Sequence, residues 1–139
     1  MQTEFEILNS KTNWNVSGKP AMIRISKHGV MRFTVEAVRL LKLKLDMRLT
    51  FLLHPNDNGI IYFHTHADGL PLKADAVSKN GVALYCCGRK HAARMLEFFK
   101  ISTANKTFDI TAEQSTVNGQ QCWFILKDKI HKPIKWRKQ

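Results

Sequence analysis

The sequence predicts a single α+β domain over residues 1–139, built as a tandem ββαββ pseudo-repeat. Its expected body is β-barrel-like or a strongly twisted sheet, with two short helices. Three observations support this. The string Ser26-Lys27-His28-Gly29-Val30 returns as Ser78-Lys79-Asn80-Gly81-Val82, and each copy leads into a helix-like stretch. Period-two alternation, the mark of half-buried strands, flanks each of those stretches. Clusters rich in Gly, Pro, Asn and Asp separate the alternating runs and supply turns. A repeated supersecondary unit is a strong organising signal in a chain of this length.

The first unit spans 21–66. Met22 to Ser26 alternates, with Ile23 and Ile25 on one face and Arg24 on the other. His28-Gly29 forms the turn, since glycine tolerates positive φ, and Val30 to Phe33 completes a hairpin. Thr34 is placed to cap a helix over Val35 to Leu45, where Val35, Val38, Leu41 and Leu45 fall at helical spacing. Leu49 to Leu53 and Ile60 to His64 flank the turn-forming run from His54 to Gly59 and predict a second hairpin. Residues 67–77 are read as a connection marked by Gly69 and Pro71.

The second unit spans 75–127 and repeats the order. Its helix, Arg89 to Ile101, lines one face with Ala92, Met95, Leu96 and Phe99. Thr107 to Thr111 and Gln121 to Leu126 are expected to form a hairpin across Asn118-Gly119. Before the first unit, Glu4 to Leu8 is strand-like, and Trp14 and Val16 interrupt a polar loop. The chain ends in a basic tail, residues 128–139, where Lys129, Lys132, Lys135, Arg137 and Lys138 oppose Asp128 alone.

Charge is the unusual quantity. There are 22 Lys and Arg against 11 Asp and Glu, a net charge of +11. Such an excess repels itself, and a polyanionic partner relieves it. The three cysteines, Cys86, Cys87 and Cys122, are odd in number and fit a reducing, cytoplasmic setting better than a disulfide framework. No signal-like start or membrane-length apolar run is present, so no membrane partner is expected.

Ile23-Arg24-Ile25-Ser26-Lys27-His28-Gly29-Val30-Met31-Arg32-Phe33, followed by Glu36-Ala37-Val38-Arg39-Leu40-Leu41-Lys42-Leu43, resembles the AbrB-like (swapped-hairpin) transition-state regulators over residues 22–53. That family shares a hairpin, a short helix ending in a Leu-Leu-Gly-Leu-type run, and a Gly-Asp turn into another strand. Here Lys42 and Leu45 stand at the glycine positions, and Thr34-Val35 replace the proline that starts the helix. The resemblance implies a swapped-hairpin or double-psi-like barrel and a regulatory, DNA-binding role.

The expected function is therefore non-enzymatic nucleic-acid binding, to DNA before RNA. Arg24, Lys27, Arg32 and Arg39 in the first unit, and Lys79, Arg89, Lys90 and Arg94 in the second, are the expected phosphate contacts. The alternative is a structural or assembly protein, for example of a phage or mobile element, whose basic face meets an acidic protein or its own copies in a homo-oligomer. Trp136 in the tail is a candidate stacking residue, or an anchor onto the domain.

Two clusters suggest chemistry but are weighed against it. His64, His66 and Asp68 have strand-like spacing that brings two imidazoles to one face. Strand-end histidines are more often surface residues, so no metal is expected. Cys87 or Cys86 beside His91 has the parts of a nucleophile and base, but one of the two cysteines points inward on an alternating strand and reads as packing. Phosphate loops, dinucleotide fingerprints and paired carboxylates are absent from the sequence, so neither a catalytic residue nor a cofactor is expected.

Overall fold

A computed structural model describes residues 20–78, 81–101 and 105–130. The strand-like run Glu4 to Leu8, Trp14, Val16, Lys79 and most of the basic tail, Trp136 included, lie outside the described residues. Strand β1 (Met22–Ile25) and strand β2 (Val30–Phe33) form the first hairpin as their alternation predicts. Ile23, Ile25, Met31 and Phe33 all turn inward and are fully buried. The hairpin closes through Gly29, at φ 96°. Its N–H donates to the Ser26 carbonyl at 3.0 Å.

Helix α1 (Val35–Leu41) starts at Thr34, whose Oγ1 accepts the Ala37 N–H at 3.3 Å and the Met22 N–H at 3.1 Å. The cap thus also pins the helix to β1. The helix is shorter than the spacing to Leu45 suggests. Lys42 turns left-handed at φ 55°, ending the helix, and Leu45 is 55% exposed rather than on the core face. Strand β3 (Arg48–Leu53) and strand β4 (Ile60–Thr65) form the second hairpin. Its turn is held locally by Asp57, whose Oδ1 accepts the Gly59 N–H at 3.0 Å.

The segment read as a connection is largely strand: β5 (Leu70–Pro71), then β6 (Lys73–Ser78). Strand β7 (Gly81–Cys87) leads into helix α2 (Arg89–Phe98). Strands β8 (Lys106–Asp109), β9 (Ser115–Val117) and β10 (Gln120–Leu126) follow, ending in a 3-10 turn at Lys127–Lys129.

The ten strands of the described residues form two antiparallel sheets, ordered β6-β7-β2-β1-β8 and β5-β3-β4-β10-β9, which among those residues do not close into a barrel. This corrects the expected pairing of β8 with β10. Strand β8 instead lines up against β1, with fully buried Phe108 opposite Ile23. Asn118-Gly119 turns between β9 and β10, both residues at positive φ. One apolar core joins the sheets and both helices. Phe33 of the first sheet meets Phe63 of the second with ring centroids 5.8 Å apart.

The two hairpin glycines make reciprocal contacts. A methyl group on Gly29 would lie 2.6 Å from the Arg89 Cα, at the start of α2. One on Gly81, at φ 134°, would lie 3.1 Å from Val35 Cγ1, at the start of α1. Each hairpin tip therefore lodges against the helix that follows the other hairpin.

Candidate nucleic-acid interface

Because Ile23, Ile25, Met31, Phe33, Leu84 and Cys86 take the inner face of the first sheet, their neighbours take the outer one. Register then sets the outer face. Lys73 pairs with Tyr85, Tyr85 with Arg32, Arg32 with Arg24, and Arg24 with Thr107, a row that crosses all five strands. At about 4.8 Å per strand, the row is roughly 19 Å long.

Arg24 and Arg32 stand directly opposite one another, an arrangement of like charges that disfavours the folded state. Asp75 on β6 pairs with the Arg32 guanidinium, both side chains more than a third exposed. Such an open pair contributes about 0.2–1 kcal/mol. Asp75, and Asp109 opposite Met22, are the carboxylates among the described strand residues of this face. The row itself holds three cations, Lys73, Arg32 and Arg24, beside one half-exposed phenol, Tyr85.

The eight residues expected from sequence do not form one continuous row. Arg24 and Arg32 share the sheet face. Lys27 sits at the first hairpin tip, its N–H donating to Asn105 Oδ1 at 3.1 Å, and Arg89 adjoins Gly29 of that tip. Arg39, exposed on α1, adjoins Gly81 of the other tip. Lys90 and Arg94 instead line a groove against β3, and Lys79 falls outside the described residues. Lys73 and Tyr85 were missed from sequence. For Tyr85 the pleat of β7 offered a signal, whereas Lys73 lay in a segment read as a connection.

The groove has a volume of ≈ 210 Å³ and is lined by Phe51, Leu53, Lys90, His91, Arg94 and Met95. The Phe98 ring centroid lies 5.9 Å from the Arg94 guanidinium carbon, and a Glu97 carboxylate oxygen lies 3.8 Å from the guanidinium.

The histidine cluster is organised by its own backbone. His64 Nδ1 donates to the Thr65 carbonyl at 2.8 Å, and His66 Nδ1 accepts the Asp68 N–H at 3.1 Å. Among the described residues, no three His, Cys, Asp or Glu side chains converge as metal ligands. Cys86 is the inward cysteine, its thiol pushed up to about 12 by burial and by the adjacent Cys87, which is exposed. Burial also pushes the Cys122 thiol up. Among the described residues, no helix is long and apolar enough to cross a membrane. No protein-family model, curated protein or solved structure matches the chain.

Proposed function

We propose that the protein is a non-enzymatic nucleic-acid-binding module that receives phosphates on the outer face of the first sheet, from DNA in preference to RNA. The observation that carries this reading is the opposed pair Arg24 and Arg32, in one row with Lys73 and Tyr85. Two guanidinium groups directly opposite one another are unfavourable alone and favourable around a shared anion. Lys27 and Arg89 at one hairpin tip, and Arg39 at the other, extend the positive field beyond the row.

The reciprocal seating of Gly29 and Gly81 supports descent from a duplicated ββα unit. The pairing of β2 with β7 supports it too, because Arg32↔Tyr85 and Phe33↔Leu84 are mutual counterparts when the two Ser-Lys-x-Gly-Val strings are aligned. Lys42 adopts the left-handed helix end that a glycine supplies in the resembled regulators.

The test is a salt series with duplex DNA, single-stranded DNA and RNA. Log affinity is expected to fall linearly with log salt, and Arg24→Glu to flatten that slope by about one unit. Absence of binding at low salt overturns the proposal. Self-association unaffected by added nucleic acid would favour the assembly role instead.

A further inference from the structure

We infer that the groove between α2 and β3 receives one unpaired base of a single strand, with the adjoining phosphates held by Lys90 and Arg94. This rests on the nucleic-acid reading above and names the form of its ligand.

The lining divides by chemistry. Phe51, Leu53 and Met95 make an apolar floor, while Lys90, His91 and Arg94 supply nitrogen atoms along one side of α2. Lys90 and Arg94 are one helical turn apart and so project from the same face. An apolar floor beside cations matches a ligand with a flat face that stacks at one end and an anion at the other. A nucleotide has that form. Sites for drug-sized ligands usually hold about 300–1,000 Å³. At ≈ 210 Å³ the groove is of a size for one ring system.

The floor is also held in place. The Phe51 ring packs on Phe63 with centroids 5.7 Å apart, and Phe63 in turn meets Phe33 and Trp123. A fixed ring presents its free side without the entropy loss of ordering a mobile one. Arg94 lies over the Phe98 ring, its guanidinium carbon 5.9 Å from the centroid, with Glu97 3.8 Å away in solvent. Base pairing and stacking hold a duplex base away from such a recess, so the groove selects an unpaired one. Continuity supports the same occupant. Arg89 precedes Lys90 on α2 and adjoins the Lys27–Gly29 tip, so a strand leaving the groove meets further cations.

The experiment compares a single-stranded oligodeoxynucleotide with a fully abasic strand of equal length, at low salt. The base-containing strand is expected to bind about tenfold more tightly. Leu53→Trp, which fills the groove, is expected to reduce that ratio at least fivefold. A second measurement needs no variant. In protein labelled at its methionine methyl groups, the Met95 signal should move upfield by ring current with the base-containing strand and stay in place with the abasic one. An unmoved Met95 signal, or an unchanged ratio in Leu53→Trp, overturns the inference and leaves the phosphate-binding face standing. Hexanoate moving the Met95 signal more than the oligonucleotide would assign the groove to a free small anion and also overturns it. Failure of both strands to bind overturns the inference, and the phosphate-binding face is then decided by duplex DNA in the salt series above.

Discussion

Replacing Gly29 by alanine puts the reciprocal packing of tip and helix to a quantitative test. Gly29 sits at φ 96°, where an L side chain is strained, and its added methyl would lie 2.6 Å from Arg89 Cα and 2.9 Å from the Arg89 nitrogen. Both obstructing atoms are backbone, so no side-chain rotation relieves them. Gly119 provides the internal control, because it too has positive φ, at 80°, but nothing lies within 4 Å of an added methyl. Conformational strain alone is worth about 1–2 kcal/mol, the expected loss for Gly119→Ala. Forcing a group into packed surroundings adds about 1–3 kcal/mol, so Gly29→Ala should lose roughly 2–5 kcal/mol. With a urea slope of about 2 kcal/mol per molar, the two midpoints should differ by about 0.5–1.5 M. Equal midpoints would refute the claim that the first hairpin tip is wedged against α2.

Arg24→Glu should raise stability by about 0.2–1 kcal/mol, because it replaces an opposed like-charge pair with a cross-strand ion pair, even as it weakens nucleic-acid binding; thermal melts beside binding curves check the opposite signs. Lys42→Gly should add about 1 kcal/mol by relieving the left-handed residue at the end of α1, read as a higher urea midpoint. For Cys86, whose thiol is raised from 9.0 to about 12, the unfolded thiol ionises first. Its contribution is therefore full below about pH 9 and declines as pH rises towards 12. Urea midpoints over that range should fall less steeply in Cys86→Ala. At pH 8, alkylation followed by mass spectrometry should find Cys87 modified well before Cys86.

Local chemistry made several elements readable in advance. The β1–β2 hairpin follows from four alternating apolar residues around a glycine turn, and Thr34 was recognisable as a cap from its hydroxyl before an apolar helix face. Arg24 and Arg32 could be brought together from hairpin register alone. The destination of β8 could not. Alternation around Phe108 tells which side of the strand is buried but not which strand lies beside it, and β1 is far away in sequence. The closed barrel failed for the same reason, because closure depends on edges that local patterns do not encode. Gly69 and Pro71 read as a connection, although Leu70–Pro71 pairs with the start of β3. Tyr85 and Lys73 join the arginine row only once β7 pairs with both β2 and β6. The groove needed tertiary packing, since it sets Leu53 against a helix that begins at Arg89.

The placement of β8 beside β1 has a consequence in time. Met22 pairs with Asp109, and Val30 with Cys87, so the first hairpin formed has its two flanking neighbours encoded much later in the chain. A lone two-stranded hairpin is marginal in water, and closing such long loops precedes any return from packing. Folding should therefore be slow for the size of the domain, on the order of milliseconds to seconds. During synthesis, β1 and β2 emerge with both outer edges open, and those edges stay vulnerable to wrong pairing until β7 and β8 arrive. A chain halted after β4 would hold one complete ββαββ unit by sequence and still lack the strands that close its first sheet.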